Sequence, residues 1–245
     1  QIVSLTTHQL STLSTTGLKA LSTRQIAALE TQDLAVLSSS NIAALSSAQL
    51  NALSTRQIAA LSAVNIAGLT SESIALMSSA QLRSLTSNQI AGLNTAQVFN
   101  LNTSSIRNLT SVQIAALETR DVAVLTSAQM ATLSLAQTQS FSAAQLNALT
   151  SDQLPSLSTL FVTQLTSTQL SSLYAEQLNG LSSNALSALN AKAVNALTTA
   201  QIAGLTSTTV NSLNTTAIAG LTTSQIVALT TDQFNNLRTA AFKAL

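Results

Sequence analysis

The stretch Leu109-Thr110-Ser111-Val112-Gln113-Ile114-Ala115-Ala116 shows the unit from which this chain is built. Its leucine position recurs at every eighth residue from Leu5 to Leu245 and holds leucine throughout, except at Met77 and Phe141. A fixed short period along a whole chain predicts a repeat architecture, in which stacked units bury one continuous core. We therefore expect residues 1–245 to form a single uninterrupted octad-repeat solenoid, a segment or processed form of a longer array.

A second apolar column lies three residues before each leucine and predicts that the unit is helical. Ile114 and Leu117 are spaced i, i+3, which places them on one face of a helical turn, whereas a strand would turn them to opposite faces. Thr110 and Gln113 have the spacing of a capping box, in which the hydroxyl accepts from the N3 amide and the glutamine reaches back to the N-cap N–H. Each octad should therefore begin its own helix at the Ser/Thr pair.

The period of eight argues against one long helix. It advances the apolar stripe by about 80° per octad, and a coiled coil needs a period near 3.5 or 3.67 instead. We expect an all-α solenoid of very short helices, about five to seven residues each, one per octad. About three helices, or else four, should complete a superhelical turn; Gly68 and Gly92 are 24 residues apart, which favours three. The alternative is a β-solenoid, since many short Thr-rich repeats form one.

The composition excludes several classes of partner. Only 7% of the residues are charged, against roughly 25% in an ordinary globular domain. The net charge is +1 and the charges are scattered singly, so the clustered basic footprint needed for nucleic acid or anionic lipid is missing. No run reaches the ~18 apolar residues of a membrane span, and the lack of cysteine excludes thiolate metal sites. We expect no nucleic-acid partner, no membrane span and no cofactor.

No set of residues in the chain predicts catalysis. His8 is the only histidine, with no carboxylate cluster beside it, and we expect it to be a surface residue. A Ser/His/acid triad cannot be built around it, and there is no glycine-rich phosphate loop. The sequence therefore predicts that the protein is not an enzyme and has no catalytic, cofactor-binding or metal-binding residues.

The least regular part of the chain, residues 134–164, contains the candidate contact residues. Thr138 replaces an aliphatic residue and Phe141 replaces a leucine. One interpretation is local repacking, in which Phe141 fills the space left by Thr138. The other is a lateral contact patch, in which Leu160 and Phe161 are exposed to another molecule.

The octad Leu221-Thr222-Thr223-Ser224-Gln225-Ile226-Val227-Ala228 resembles octapeptide repeat tracts in large secreted, adhesin-like surface proteins of Gram-negative bacteria. The resemblance covers the whole chain, and its motif, Leu-Thr-x-x-Gln-Ile/Val-x-x, is short and degenerate. It implies an extracellular or cell-surface location and a role as stalk, fibre or coat. It transfers no site residues.

The end octads predict self-association. Solenoids usually finish with capping repeats whose outer face is polar, whereas the end octads here carry the apolar residues Ile2, Leu5, Phe242 and Leu245. We expect these four residues to stack on another copy or on more of the same chain. The leading hypothesis is a structural protein that forms a rigid extracellular rod, stalk or head-to-tail filament. The alternative is a repetitive Ser/Thr-lined surface-binding module that contacts glycans, ice or another surface.

Overall fold

The computed structural model describes residues 6–245, which fold into 29 short α-helices and one 3-10 helix, with no strand among them. The all-α prediction is therefore confirmed, and the β-solenoid alternative is wrong. In chain order the helices are α1 (Thr7–Ser11), α2 (Thr15–Lys19), α3 (Thr23–Ala27), α4 (Thr31–Ala35), α5 (Ser39–Ala43), α6 (Ser47–Ala52), α7 (Thr55–Ala60), α8 (Ala63–Gly68), α9 (Ser71–Ala75), α10 (Ser79–Ser84), α11 (Ser87–Ala91), α12 (Thr95–Asn100), α13 (Thr103–Asn108), α14 (Ser111–Ala115), α15 (Thr119–Val122), α16 (Ser127–Met130), α17 (Leu135–Gln139), α18 (Ala143–Asn147), α19 (Thr159–Gln164), α20 (Ser167–Ser172), α21 (Ala175–Asn179), α22 (Ser183–Ser187), α23 (Ala191–Asn195), α24 (Thr199–Gly204), α25 (Ser207–Ser212), α26 (Thr215–Ala219), α27 (Thr223–Val227), α28 (Thr231–Asn235) and α29 (Thr239–Phe242). The 3-10 helix is Leu154–Ser156.

Each octad turns a corner between its leucine and the next N-cap. Ser46, the N-cap of α6, is extended at φ −68° and ψ 159°, and Leu53, which follows α6, is extended at φ −70° and ψ 136°. At such a corner the leucine and the N-cap after it are both extended, as Leu53 and Ser54 are, and the helices between corners have four to six residues, slightly shorter than expected. Such helices are unstable alone and persist because neighbouring coils cover them.

Three helices make one coil. The chain divides into two compact units, residues 1–125 and 126–245, and within each unit a helix packs on the helix one coil further along the chain. In the first unit α5 packs on α8 and α9 on α12; in the second, α22 packs on α25 and α23 on α26. Each unit is thus a solenoid of short helices with three per turn, the number that the glycine spacing favours over four.

The coils approach closely because most residues in the position before the leucine column are small, among them Gly68, Gly92, Gly204 and Gly220. A Cβ placed on Gly220 would lie 2.5 Å from the Cβ of Ala191, and one on Gly68 would lie 3.0 Å from the Cβ of Ser39. In both pairs the partner lies 29 residues earlier, at the first helical position of the preceding coil. Glycine is required at position 220 because even a methyl group would displace the backbone of the neighbouring coil.

The irregular segment is repacked internally. Pro155 lies in the 3-10 helix, because it cannot supply the donor of a longer α-helix. The expectation that Phe161 is exposed is wrong: its side chain is buried, and its ring meets Phe141 edge to face with centroids 6.0 Å apart. Phe161 occupies the octad position of Gln113, which faces the preceding coil rather than solvent. Leu160, one residue earlier, is 61% exposed, so the predicted contact patch reduces to this residue.

Candidate functional site

The predicted capping box is present in α14. The backbone N–H of Gln113 donates to Thr110 Oγ1 at 3.2 Å, and the backbone N–H of Thr110 donates to Gln113 Oε1 at 2.8 Å. Two of the donors that a helix start leaves unpaired are satisfied in this way. The same reciprocal pair recurs along both units, which explains how such short helices begin at a defined residue.

The glutamine of the capping box has a second task, which joins consecutive coils. Gln113 Nε2 donates to the carbonyl of Leu82 at 2.7 Å and to that of Leu85 at 2.8 Å, 31 and 28 residues earlier. In the second unit Gln201 Nε2 makes the equivalent bonds at 2.8 and 2.7 Å. We call this column of side chains at the third helical position the glutamine ladder.

The partners of each ladder amide leave it only one orientation. The N-cap N–H can only donate, so it must face Oε1, and the two carbonyls can only accept, so they must face Nε2. All three contacts of Gln113 are thus satisfied at once inside the protein. Because a buried and fully paired polar network admits few alternative arrangements, the ladder sets the register of one coil on the next.

The residue types at the ladder position reflect the bonds between coils as well as the capping box. A capping box accepts Glu as readily as Gln, and a carboxylate suits the positive end of a helix. Yet Gln fills most of the ladder positions and Glu fills none of them. The two donations of the amide N–H favour Gln over Glu, although Asp33 and Asp121 show that a shorter carboxylate can occupy the column. Ladder residues with buried side chains are Asp33, Asn41, Gln49, Gln57, Asn65, Ser73, Gln81, Gln89, Gln97, Ser105, Gln113, Asp121, Gln129, Gln137, Gln145, Gln153, Phe161, Gln169, Ala185, Gln201, Thr209, Ala217, Gln225, Gln233 and Ala241.

Other side chains replace parts of the contact where the ladder residue is short. Asn65 lacks one methylene, and its Nδ2 reaches only the Leu37 carbonyl, at 3.0 Å. Ala217 has no donor, and the Nδ2 of its N-cap residue Asn214 donates instead to the carbonyl of Leu189 at 2.9 Å. Different side chains can therefore donate to the corner carbonyls of the preceding coil.

Asp121 is the ladder residue whose chemistry fits least well. Its Oδ2 accepts from the backbone N–H of Glu118 at 3.3 Å, but Oδ1 is buried with no hydrogen-bond partner and lies 3.8 Å from Arg120 Nε. In the other coils the outer atom of the ladder side chain meets carbonyls of the preceding coil, and a carbonyl cannot donate to a carboxylate. Burial raises the pKa of Asp121, and the Glu118 N–H and the Arg120 charge only partly oppose this effect.

A groove of about 590 Å³ in the second unit marks another gap in the ladder. It lies where Ala193 replaces the glutamine, so no ladder amide covers the Leu165 carbonyl. Leu165 is correspondingly half-buried, and Gln164 Oε1, which also lines the groove, is buried without a partner. The groove therefore presents two hydrogen-bond acceptors, the Leu165 carbonyl and Gln164 Oε1, that no described donor reaches.

The residues predicted for end stacking are only partly within the described chain. Phe242 and Leu245 are 52% and 39% exposed, whereas Ile2 and Leu5 lie outside the described residues. His8 is exposed. In residues 6–245 no three His, Cys, Asp or Glu side chains are grouped so that they could hold a metal ion. Over the same residues, no helix has the length and apolar character that crossing a membrane requires.

Comparison with known proteins identifies a repeat family. A family model described as the ALTTAQ repeat matches residues 26–63, 66–103, 175–207 and 210–239, together more than half of the chain. The hexapeptide itself occurs as Ala196-Leu197-Thr198-Thr199-Ala200-Gln201, which runs from the end of one octad to the ladder residue of the next. No curated protein matches the chain.

Proposed function

The chain belongs to the ALTTAQ repeat family, and we propose that it is a structural protein, forming a rigid rod, stalk or head-to-tail filament on a bacterial surface. The observation that carries the proposal is the recurrence of one inter-coil contact in both units. Each coil contacts only its neighbours, so each added coil contributes one more interface to the stability. A longer solenoid therefore needs no new type of contact. The contact combines apolar burial with paired amides, and separating two coils must break both together.

The chemistry of the ladder suits an extracellular place. Most of its contacts are between uncharged amides and carbonyls, which neither titrate near neutral pH nor weaken when salt screens charges. A protein exposed to the surrounding medium meets wide changes in both. The resemblance to repeat tracts of secreted, adhesin-like proteins supports the same location.

Two measurements test this function. Small-angle X-ray scattering of the purified chain should show an elongated and rigid particle whose profile is unchanged between low and high salt. Antibodies raised against the chain should label intact cells of the source organism as strongly as lysed cells. A compact or flexible scattering profile would contradict the rod, and labelling that requires lysis would contradict the surface location.

The alternative, a Ser/Thr-lined binding module, has one observation in its favour. The first helical residues of α1, α4, α7, α10 and α13 are Thr7, Thr31, Thr55, Ser79 and Thr103, which form a hydroxyl column along one side of the first unit. N-cap hydroxyls already accept bonds from their own helices, as Ser54 does from the Gln57 N–H, and within the column Ser79 Oγ accepts from Asn108 Nδ2 at 2.9 Å. Glycan-array binding and thermal hysteresis would separate this function from the structural one, because a structural rod predicts neither.

A further inference from the structure

Two gaps in the glutamine ladder open into grooves, one in each unit. In the second unit Ala193 stands at the ladder position and lines the groove of about 590 Å³. In the first unit Ser73 stands at the ladder position and lines a groove of about 560 Å³. We call these the Ala193 groove and the Ser73 groove. Both volumes are typical of small-ligand sites, which span roughly 300–1,000 Å³.

Each groove contains a corner carbonyl that the ladder leaves unpaired. The Leu165 carbonyl precedes Ala193 by 28 residues, which is the spacing over which ladder glutamines donate, and the Leu45 carbonyl precedes Ser73 by the same number. Among residues 6–245 no donor reaches either carbonyl. The Ser73 hydroxyl bonds within its own helix start, where Oγ accepts from Thr70 Oγ1 at 2.9 Å. Because a carbonyl can only accept, each groove calls for a ligand that donates.

Other gaps in the ladder are closed from within the chain. At Ala241 the side chain of Arg238 donates through Nη2 to the carbonyl of Leu213. Asn214 closes the gap at Ala217 in a similar way. No such replacement reaches the corner carbonyls of the two grooves among the described residues, so these carbonyls stay available to another molecule.

A lysine lines each groove. The chain has only three lysines, and two of them lie here: Lys192 at the Ala193 groove and Lys19 at the Ser73 groove. Both are exposed, and neither pairs with a carboxylate of the described chain. An ammonium group attracts anions and repels cations. The ligand should therefore carry an acidic group, and its donors should be neutral hydroxyls or amides rather than charged amines.

The rest of the Ala193 groove suits a sugar ring. Gln164 Oε1 is buried beside Leu165 without a partner, and rotation about its last side-chain torsion presents it to a ligand hydroxyl. Asn190 Oδ1 accepts from the Ala193 N–H at 2.9 Å, which leaves its Nδ2 group as a donor. Leu135, 51% exposed, supplies an apolar wall. A compact ring with several hydroxyls and one carboxylate meets all of these groups.

We propose that each groove binds an acidic sugar, such as a uronic acid residue of a polysaccharide. A hydroxyl of the sugar donates to the unpaired corner carbonyl, as a ladder amide does in other coils, and the carboxylate pairs with the groove lysine. The lysines are exposed, so each ion pair adds little and a single groove binds weakly. The inference goes beyond the structural function. It does not depend on whether the protein forms a rod or filament, because each groove lies within one unit.

Nuclear magnetic resonance of the chain labelled with 15N-lysine tests both grooves at once, because each lysine gives one backbone amide signal. Trigalacturonate should shift the signals of Lys19 and Lys192. The signal of Lys243 is the control and should stay in place, since this residue lines neither groove. Substituting each lysine by glutamine in turn assigns the signals.

Two further probes separate the contributions of charge and hydroxyls. Fully methyl-esterified trigalacturonate keeps the hydroxyls but has no charge, and should bind about threefold more weakly. A triglutamate peptide has the charge but lacks the ring hydroxyls, and should bind about tenfold more weakly. Triglutamate binding as tight as that of trigalacturonate would overturn the inference, because a peptide acid would then satisfy the grooves equally well.

Restoring the ladder residue should close a groove without removing its lysine. In α12 the N-cap Asn94 forms a capping box with Gln97, whose Nε2 donates to the Ile66 carbonyl of the preceding coil at 2.8 Å. Asn190 is likewise the N-cap of its helix. We therefore expect Ala193→Gln to complete the same contact and to raise the melting temperature.

The two grooves serve as controls for each other. Ala193→Gln should abolish the shift of Lys192 by trigalacturonate and leave the shift of Lys19 unchanged, and Ser73→Gln should do the reverse. Ala193→Met fills the same space without an amide, and should also abolish the shift of Lys192. The ladder position tolerates such a side chain, as buried Phe161 shows.

Three results would overturn the inference. The first is a chain whose Lys19 and Lys192 signals do not shift with trigalacturonate up to tens of millimolar. The second is a shift of Lys243 as large as theirs, which would indicate unspecific attraction to ammonium groups. The third is a full shift of Lys192 in a folded Ala193→Gln or Ala193→Met variant, because the sugar would then bind without the open gap.

Discussion

Replacing Gln113 by Glu separates the two tasks of a ladder residue. The carboxylate can still accept from the Thr110 N–H, so the capping box remains. The two donations to Leu82 and Leu85, at 2.7 and 2.8 Å, are lost, and a charged oxygen faces two carbonyls inside the protein. The lost bonds cost about 2 kcal/mol at roughly 1 kcal/mol each. The buried charge destabilises the folded state further. This extra destabilisation has an upper limit, because the carboxylate can become neutral by taking up a proton.

That upper limit follows from the ordinary pKa of Glu, about 4.3. Protonating the group at pH 7 costs about 1.4 kcal/mol per pH unit, or about 3.7 kcal/mol in all. A protonated carboxyl regains one donor, which returns about 1 kcal/mol. We therefore expect Gln113→Glu to lower the free energy of unfolding by about 4–5 kcal/mol at pH 7 and by only about 1 kcal/mol near pH 4.

The control is the same substitution at Gln25, which forms a capping box but, within residues 6–245, makes no bond to another coil. Gln25→Glu should be neutral, or stabilising by about 0.5 kcal/mol through the helix dipole. Urea unfolding followed by circular dichroism at both pH values gives the free energies, and hydrogen exchange localises the loss to the coils around α14. Equal stability of the two variants at pH 7, or a defect at Gln113 that persists at pH 4, would refute the second task of the ladder.

Two further predictions concern Asp121 and the glycines. Burial raises the pKa of Asp121, so its carboxyl favours folding only while protonated, and this contribution is lost as the pH rises through the raised pKa. Asp121→Asn should therefore raise the free energy of unfolding at pH 7 by about 1–2 kcal/mol, with a higher melting temperature. It should also flatten the pH dependence of unfolding, and an unchanged pH profile would contradict this. Gly220→Ala places a Cβ 2.5 Å from Ala191 and should destabilise the second unit by about 1–3 kcal/mol. In Gly17→Ala the new Cβ meets the flexible end of Leu13 at 3.0 Å and Ser14 Oγ at an ordinary 3.4 Å, so this variant should stabilise α2 by about 0.5–1 kcal/mol. Melting curves that rank the two variants in the opposite order would contradict the packing argument.

The local part of the fold could be read from single octads. Thr110 and Gln113 predict the capping box, and Ile114 with Leu117 predicts the helical face, because these contacts lie within eight residues. The helix length was slightly overestimated, since the pattern does not show that the leucine leaves the helix for an extended conformation. The prediction that Phe161 is exposed is wrong because a single octad does not show that its position faces the preceding coil. In a capping box alone that side chain would lie near solvent, but here it faces the preceding coil.

The sequence by itself determined the unit: a period of eight, a cap, a short helix and a corner, all of which depend on neighbours along the chain. It also carried the preference for Gln over Glu, without saying what the amide meets. Only the tertiary structure decided that three units close a coil, because that number depends on the angle of each corner. Once three units close, a carbonyl 28 residues away comes within reach of Gln113 Nε2. The physical reason for this division is range: hydrogen bonds inside an octad are fixed by local geometry, whereas those between coils exist only after the chain has turned back on itself.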